Sequence, residues 1–227
     1  MSAPPPYPRI PHLVAGRGTC DDVALSAAEA ADLLAAPVVV EEKVDGANVV
    51  VWLENGRVEV ALRAGPGAMD RAGQLGPLRA WAAAHDHFLR AALEDDATAL
   101  YAEWLLLTHS TPYDRLPSYF VVLDLWRVDR PGFLPLEERD ARAAAAGLTT
   151  PPRVSTGVLG KVEAVERLLG SSAWGAAAAE GLIVRSVADS ARRAKLVPVA
   201  FRRLSDDEWR RGRPQNRLVA AEGAAWR

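Results

Sequence analysis

Two kinds of hydrophobic spacing alternate along the chain. Apolar residues three and four positions apart predict helices, and short β-branched or aromatic runs predict buried strands. The predicted strands cover residues 37–43, 48–53, 58–63, 98–104, 119–126, 181–186 and 194–197. The predicted helices cover residues 26–34, 78–93, 136–147, 162–170 and 205–212. This alternation predicts an α+β fold of mixed, antiparallel-rich sheets with packed helices.

Capping, turn and proline signals define several element boundaries. Ser26 and Glu29 have the spacing of a capping box, in which each side chain bonds to the backbone of the other at a helix start. Asn55 and Gly56 separate two β-branched runs and predict a type I′ turn, hence a β-hairpin. Five prolines among residues 2–11 predict an extended N-terminal arm, because proline lacks the backbone donor that a helix needs.

Composition and charge limit the class of protein. With 227 residues, of which 49% are apolar, the chain is long enough for one large domain with a substantial core. A net charge of -2 and a pI near 6.1 give no overall basic field, so contacts with nucleic acid would need a local patch. The single Cys20 excludes an internal disulfide, and neither a membrane span nor a secretory signal is found. We therefore expect a cytoplasmic protein.

The strongest sign of chemistry is Lys43, in the run EKVDGAN at residues 42–48. A free lysine has a pKa of roughly 10.4, so a nucleophilic lysine must be partly deprotonated by cationic neighbours or by burial. At the end of a buried strand Lys43 would project from a rigid edge, and Gly46 lets the following backbone turn close to a ligand. The alternative is an exposed lysine beside a turn, and this run alone does not decide between them.

Further charged residues stand at predicted strand ends. They are Arg63, Glu103, Glu180, Arg193 and Lys195. Each has an ordinary alternative, such as a surface salt bridge or a solvated strand edge. Glu103 is the least ordinary, because a carboxylate within an apolar strand is rarely unpaired, and Asp124 in a later predicted strand needs a partner for the same reason. Asn48 begins the first strand of the predicted hairpin and Arg63 ends the second. The pattern therefore predicts that Lys43, Asn48 and Arg63 lie on neighbouring strands.

In this order the segments resemble the motifs of the covalent nucleotidyltransferase superfamily, and most closely those of ATP-dependent RNA ligases of the phage T4 editing type. EKVDGAN is similar to the first motif, ALRAGP (61–66) to the arginine motif and YAEW (101–104) to the acidic third motif. YFVVLDLW (119–126) is similar to the strand with the purine-stacking position, and EGLIVR (180–185) and RAK (193–195) to the fourth and fifth motifs. The resemblance covers most of residues 38–201 and implies an ATP-grasp-like nucleotidyltransferase, or adenylation, domain.

The resemblance also implies the reaction. Lys43 would attack the α-phosphate of ATP and hold AMP as a lysyl phosphoramidate. AMP would pass to a 5′-phosphate, and a 3′-hydroxyl would then join RNA ends or seal a nicked duplex with release of AMP.

The same resemblance assigns roles to the other charged residues. Arg63, Arg193 and Lys195 would surround the phosphates and depress the pKa of Lys43. The further implied nucleotide-binding residues are Glu42, Asn48, Glu103 and, at the purine-stacking position, Leu123. Glu180 would bind Mg²⁺ or Mn²⁺.

Three features depart from the pattern of the relatives. Leu123 stands where an aromatic residue is common, and Arg193 stands where a lysine is common. The third is length, because only 26 residues follow Phe201. We therefore expect an adenylation domain over residues 1–202 with its proline-rich arm and a short helical tail over residues 203–227. A partner protein would then supply some of the contacts to nucleic acid.

Two alternatives stay open. A nucleotidyltransferase of the same superfamily could use another acceptor, as a DNA ligase or a capping-type guanylyltransferase does. A binding module could keep the nucleotide pocket without turnover, although binding alone would not require the lysine. Other chemistries lack their motifs, because the sequence has no P-loop, no H-E-x-x-H and no Cys/His cluster for zinc.

Overall fold

The computed structural model describes residues 4–16, 23–62, 73–201 and 213–219. The strands within these residues are β1 (Val38–Lys43), β2 (Ala47–Glu54), β3 (Arg57–Leu62), β4 (Thr98–Trp104), β5 (Phe120–Arg127), β6 (Gly132–Phe133), β7 (Arg153–Gly157), β8 (Gly181–Ser186) and β9 (Arg193–Leu196). The helices are α1 (Ala27–Ala35), α2 (Leu75–Ala84), α3 (Asp86–Leu93), α4 (Leu136–Ala145) and α5 (Val162–Glu166). None of these helices has the length and apolar character needed to cross a bilayer.

The strands form two antiparallel sheets. The first has the order β7-β1-β8-β9 and the second the order β3-β2-β4-β5-β6. The chain therefore leaves the first sheet at Lys43 and enters the second at Ala47, only a few residues later. The prediction that Lys43 and Asn48 lie on neighbouring strands is wrong, because their strands belong to different sheets that meet at this crossing. Arg63, the third residue of that prediction, lies outside the described residues.

Each sheet buries one apolar face under helices. In β1 and β8, alternate residues such as Val40 and Val184 pack against Leu33 of α1 and Val165 of α5. The second sheet packs one face against α2, α3 and α4 in the same way. The other side of β1 carries Glu41 and Lys43, since successive side chains of a strand point to opposite faces. Polar side chains therefore occupy the space where the inner faces of the two sheets meet.

The described part of the N-terminal arm is not helical, as its prolines predict. The Tyr101 hydroxyl donates to the carbonyl of Pro5 at 2.6 Å, and the Tyr7 ring lies 5.0 Å from the Tyr101 ring between the sheets. Further along, the backbone of Lys195 donates to Pro11 at 2.8 Å and accepts from Leu13 at 2.7 Å. The arm thus runs from the inner face of the second sheet to the edge strand of the first.

Two local predictions are confirmed by backbone geometry. The Ser26 side chain accepts from the backbone of Glu29 while the Glu29 side chain accepts from the backbone of Ser26, which completes the capping box of α1. Asn55 and Gly56 have φ values of 50° and 74°, as a type I′ turn between β2 and β3 requires.

Other boundaries differ from prediction. The helix expected over residues 78–93 is two helices, with His85 closing α2 and preceding α3 in a non-helical conformation (φ −111°, ψ 18°). The helix expected over 162–170 ends at Glu166. The edge strand β7 was not predicted, because its residues are half-buried or exposed and lack an alternating apolar pattern. The helix expected over 205–212 lies outside the described residues, and residues 213–219 are not helical.

Candidate active site

Lys43 lies where β1 ends, at the junction of the two sheets. Its Nζ donates to a carboxylate oxygen of Glu180, and the side chains of Lys43 and Glu180 are 23% and 5% exposed. Glu180 comes directly before β8, and Gly181 at the start of β8 is the pairing partner of Lys43. Antiparallel pairing of two buried strands therefore brings this lysine and this carboxylate together.

Asp45, two residues after Lys43, is held by the first part of the connection between β4 and β5, residues 105–117, which we call the 105–117 loop. The backbone N–H groups of Ser110 and Thr111 donate to the same Asp45 carboxylate oxygen at 2.5 and 2.8 Å. The N–H of Asp45 donates to the Tyr113 hydroxyl at 2.8 Å. Both the side chain and the backbone of Asp45 are thus fixed by this loop.

Glu103 and Asn48 face each other on β4 and β2. The Asn48 amide donates to Glu103 at 3.5 Å and to the Ala102 carbonyl at 3.4 Å, and the N–H of Gly46 donates to Glu103 at 3.1 Å. A Cβ at Gly46 would lie 2.6 Å from the carbonyl oxygen of Trp104, so only glycine permits this close approach. Glu103 therefore has two donors from the segment that follows Lys43.

The charges around Lys43 are opposite to those expected from the sequence. Burial lowers the pKa of Lys43, but the carboxylates of Glu180, Glu103 and Asp45 outweigh it, and the net pKa is raised. Burial raises the pKa of Glu103 to about 7; nearby Lys43 opposes this shift and Glu180 adds to it. The expectation that cations lower the pKa of Lys43 is not met in the described part of the site. Without nucleotide, Lys43 is a protonated ammonium among carboxylates.

This excess of carboxylates fits a divalent cation that also binds phosphate. Within the described ranges no cluster of three or more His, Cys, Asp or Glu groups forms a metal site. Mg²⁺, however, usually takes only one or two carboxylates from the protein and the rest of its ligands from water and phosphates. The buried Glu180 and the neighbouring Glu103, whose pKa is raised by burial, are suited to that role.

Two more of the predicted nucleotide-binding residues lie on β9 and β5. Lys195 of β9 pairs with Ile183, which pairs with Glu41 of β1, so alternation places Lys195 on the same face as Lys43. Leu123 of β5 is half-buried and packs with both the core of the second sheet and the aromatic cluster around Tyr7. Contact of either residue with a nucleotide stays a prediction. Arg63 lies outside the described residues.

The Glu42 side chain points away from Lys43, and its contact with a nucleotide stays a prediction. Its carboxylate lies on the opposite face of β1 from Lys43 and accepts from the Ser172 hydroxyl at 2.5 Å and the Ala173 N–H at 2.9 Å. Burial raises the pKa of Glu42, and these two bonds partly offset the increase. The Glu42 side chain therefore holds the segment before Glu180, and the structure does not bring it to the lysine.

Arg193 is likewise separated from Lys43. Its guanidinium donates to Asp124 at 2.6 Å and lies 3.8 Å from the centre of the Phe133 ring. On β8, Arg193 pairs with Arg185 and Lys43 pairs with Gly181. These two positions are four residues apart, which is roughly 13 Å along the strand at about 3.3 Å per residue. The structure therefore corrects the expectation that Arg193 faces the phosphates, because this arginine is committed to a buried ion pair.

The buried ion pairs form one network between the sheets. Arg185 donates to Asp124 at 2.9 Å and to Glu41 at 2.7 Å, and the Tyr7 hydroxyl also donates to Asp124. Arg139 of α4 donates to Glu41 and, at 3.0 Å, to the carbonyl of Leu123. The prediction that Asp124 needs a partner is confirmed.

Arg139 was missed by the sequence analysis. Its signal is an arginine in the apolar stripe of α4, between the buried Leu136 and Ala143 at spacings of three and four residues.

Comparisons with known proteins agree with this geometry. A family model described as RNA ligase matches residues 36–197. A lysine-to-alanine mutant of Naegleria gruberi RNA ligase with ATP and Mn is similar with a TM-score of 0.57 and 18% identity, over 74% of this chain and 51% of that chain. The same ligase with PPi is similar with a TM-score of 0.59 and 16% identity, over 88% of this chain and 62% of that chain.

The chain thus spans between about half and three fifths of the length of these solved structures. Among curated proteins, none matches this sequence. At these identities the structural likeness establishes the fold, and it confirms the predicted α+β nucleotidyltransferase architecture.

Proposed function

Because the chain belongs to the RNA ligase family, we propose that it is an ATP-dependent RNA ligase acting through a lysyl-AMP intermediate on Lys43. The observation that carries this proposal is the placement of Lys43 at the junction of the two sheets, in an ion pair with Glu180 and within electrostatic reach of Glu103 and Asp45. A module that only binds nucleotide has no need of an amine held in this way.

The first step of the proposed reaction forms a bond between Lys43 Nζ and the α-phosphorus of ATP. The bond from that phosphorus to the bridging oxygen breaks, and pyrophosphate leaves with the electron pair. Since burial and its neighbours leave the pKa of Lys43 raised, the ammonium must first lose a proton to solvent. Glu180 orients Nζ until then, and Lys195, on the same face of the first sheet as Lys43, would meet the phosphates.

The two later steps use the RNA ends. An oxygen of the 5′-phosphate bonds to the AMP phosphorus while the bond from that phosphorus to Lys43 breaks and the lysine regains a proton. A 3′-hydroxyl oxygen then bonds to the 5′-phosphorus, its proton goes to solvent, and AMP leaves. Asn48 and Glu103, which are bonded to each other across β2 and β4, are proposed to contact the ribose and its polar neighbours.

Glu180, with Glu103 beside it, would hold Mg²⁺ or Mn²⁺. Such an ion neutralises negative charge on the phosphates of ATP as the leaving group departs.

We also propose RNA ends or nicked duplex as acceptors, contacts to RNA from a partner protein, and a cytoplasmic location. The net charge of -2 supports a partner, since the chain as a whole has no basic field to attract RNA. The proposed adenylation domain covers residues 1–202, and the proposed tail covers residues 203–227. The acceptor is tested by comparing the sealing rates of two nicked duplexes that differ only in having RNA or DNA on the 3′-hydroxyl side of the nick. We expect faster sealing with RNA, and faster sealing with DNA would favour a DNA ligase.

The decisive experiment is covalent labelling with ATP radiolabelled at the α-phosphate. The chain has three lysines, so Lys161, which is exposed at the start of α5, provides a matched control for Lys43. We expect labelled protein with wild type and with Lys161→Ala, and none with Lys43→Ala, although all three fold alike by circular dichroism. Labelling that persists in Lys43→Ala would end the assignment of the nucleophile, and an unlabelled wild type would favour a binding module.

A further inference from the structure

Residues 213–219, which we call the C-terminal segment, run alongside the start of the 105–117 loop. Gln215 forms an antiparallel bridge with Leu107, and the N–H of Thr108 donates to the carbonyl of Pro214 at 2.9 Å. The N–H of Asn216 donates to the carbonyl of Leu106 at 2.9 Å. The end of the described chain thus returns to the loop that holds Asp45.

Asn216 is the buried centre of this contact, with 2% of its surface exposed. Its side-chain oxygen accepts from the Thr108 hydroxyl at 2.8 Å and from the N–H of Tyr113 at 3.0 Å. Its side-chain nitrogen donates to the carbonyl of Leu105 at 2.8 Å. One amide therefore ties the beginning of the loop to its middle.

The stretch between these anchors is the part of the loop that contacts Asp45. Ser110 and Thr111, whose N–H groups hold the Asp45 carboxylate, lie between Thr108 and Tyr113. The Tyr113 hydroxyl accepts the Asp45 N–H. Without the amide of Asn216, Thr108 and Tyr113 are no longer held by a common partner. The stretch between them would then donate to Asp45 without that support.

We propose that Asn216 is a positioning residue for the adenylation step, which fixes the 105–117 loop so that the loop keeps Asp45 in place beside Lys43. This inference rests on the proposed function, because it concerns the chemistry of Lys43. In the described part of the chain, the hydrogen bonds of Asn216 go to the loop and to Tyr119, so it acts on the lysine through the loop and Asp45.

A double-mutant cycle tests this proposal. Asn216→Ala is expected to slow covalent labelling by about 100-fold, the scale expected when a reacting group is misplaced by about 1 Å. In an Asp45→Ala background the same change is expected to alter the rate by less than about twofold, within the usual error of additivity. Gln215→Ala is the matched control, because Gln215 is an exposed amide of the same segment that bonds to Tyr119 and not to the loop between Thr108 and Tyr113.

Hydrogen exchange of the amides of Ser110 and Thr111 gives a readout that does not depend on activity. Asn216→Ala is expected to speed their exchange, and Gln215→Ala is expected to leave it unchanged. If Asn216→Ala does not fold, Thr108→Val, which removes a single bond to Asn216, takes its place in both measurements.

The outcomes separate this proposal from the proposed function. An equal loss of labelling by Asn216→Ala with and without Asp45 would show a purely structural role and overturn the proposal. Labelling at the wild-type rate despite faster exchange at Ser110 and Thr111 would also overturn it. An unlabelled wild type would refute the proposed function and with it the catalytic role of Asn216, while the exchange data would still decide whether Asn216 holds the loop.

Discussion

Asp124→Asn is expected to destabilise the protein strongly while keeping the shape of the side chain. Asp124 is 2% exposed and accepts from Arg185 at 2.9 Å, from Arg193 at 2.6 Å and from the Tyr7 hydroxyl. These contacts join β5 of the second sheet to β8 and β9 of the first. A neutral amide cannot balance two guanidinium groups, so the variant leaves buried positive charge without compensation.

The size of the effect follows from the charge balance of the buried network. Its buried members are three arginines, Arg139, Arg185 and Arg193, and two carboxylates, Glu41 and Asp124. Asp124→Asn leaves three guanidinium groups against Glu41 and the partly exposed Asp140, which pairs with Arg139 at 2.6 Å, and breaking a buried pair in this way costs about 3–5 kcal/mol. Arg193→Met leaves Asp124 paired with Arg185, so we expect it to cost less than Asp124→Asn.

Urea unfolding followed by tryptophan fluorescence measures these differences. Asp32→Asn is the matched control, because Asp32 pairs with Arg192 on the surface and its side chain is 74% exposed. That control is expected to change the free energy of unfolding by about 0–1 kcal/mol. The double variant with Asp124→Asn and Arg193→Met is expected to cost less than the sum of the two single changes. An Asp124→Asn protein within about 1 kcal/mol of Asp32→Asn would refute the proposed role of the network.

Glu103→Gln is expected to flatten the pH dependence of stability in buffer without divalent ions. Burial raises the pKa of Glu103 from 4.5 to about 7, so its contribution to the free energy of unfolding is fully present below pH 4.5 and is lost as the pH rises through 7. The total loss is about 3 kcal/mol. Parallel pH profiles of stability for wild type and variant would contradict this. Gly46→Ala is expected to slow ATP labelling, because its Cβ would lie 2.6 Å from the carbonyl oxygen of Trp104. Gly76→Ala, at the second residue of α2, has open space at Cβ and is expected to change the free energy of unfolding by less than about 1 kcal/mol. Labelling by Gly46→Ala at the rate of Gly76→Ala would contradict the close approach.

The fold was largely accessible from the sequence because its strong signals are local. The capping box of α1, the Asn55-Gly56 hairpin and the strand that ends at Lys43 depend on residues close in the chain. The assignment of strands to sheets depends on contacts far apart in the chain, and local patterns do not contain it. For that reason the local pattern predicts neighbouring strands for Lys43 and Asn48, although the chain changes sheets between them.

The same distinction between local signals and contacts far apart in the chain applies to the site residues. Lys43, Glu180, Glu103 and Asn48 are brought together, and each belongs to a short motif beside the end of a strand. For Arg193 the motif indicated a phosphate contact, but its environment depends on Asp124 and Phe133, which lie in other segments of the chain. Asn216 carries no motif, and its role follows only from the return of the chain to the 105–117 loop.

The electrostatics of Lys43 suggest why the site is built from carboxylates. A neutral amine held permanently among cations would be ready to react with any electrophile that entered the cleft. Glu180, Glu103 and Asp45 instead raise the pKa of Lys43 against the effect of burial, so the resting lysine is a protonated, oriented ammonium. A divalent ion bound by Glu180 would compete for the carboxylate that holds the ammonium, and deprotonation would then be linked to the arrival of the metal and its nucleotide. If Lys43 is the nucleophile, as we propose, these carboxylates would keep it inactive until its substrate is in place.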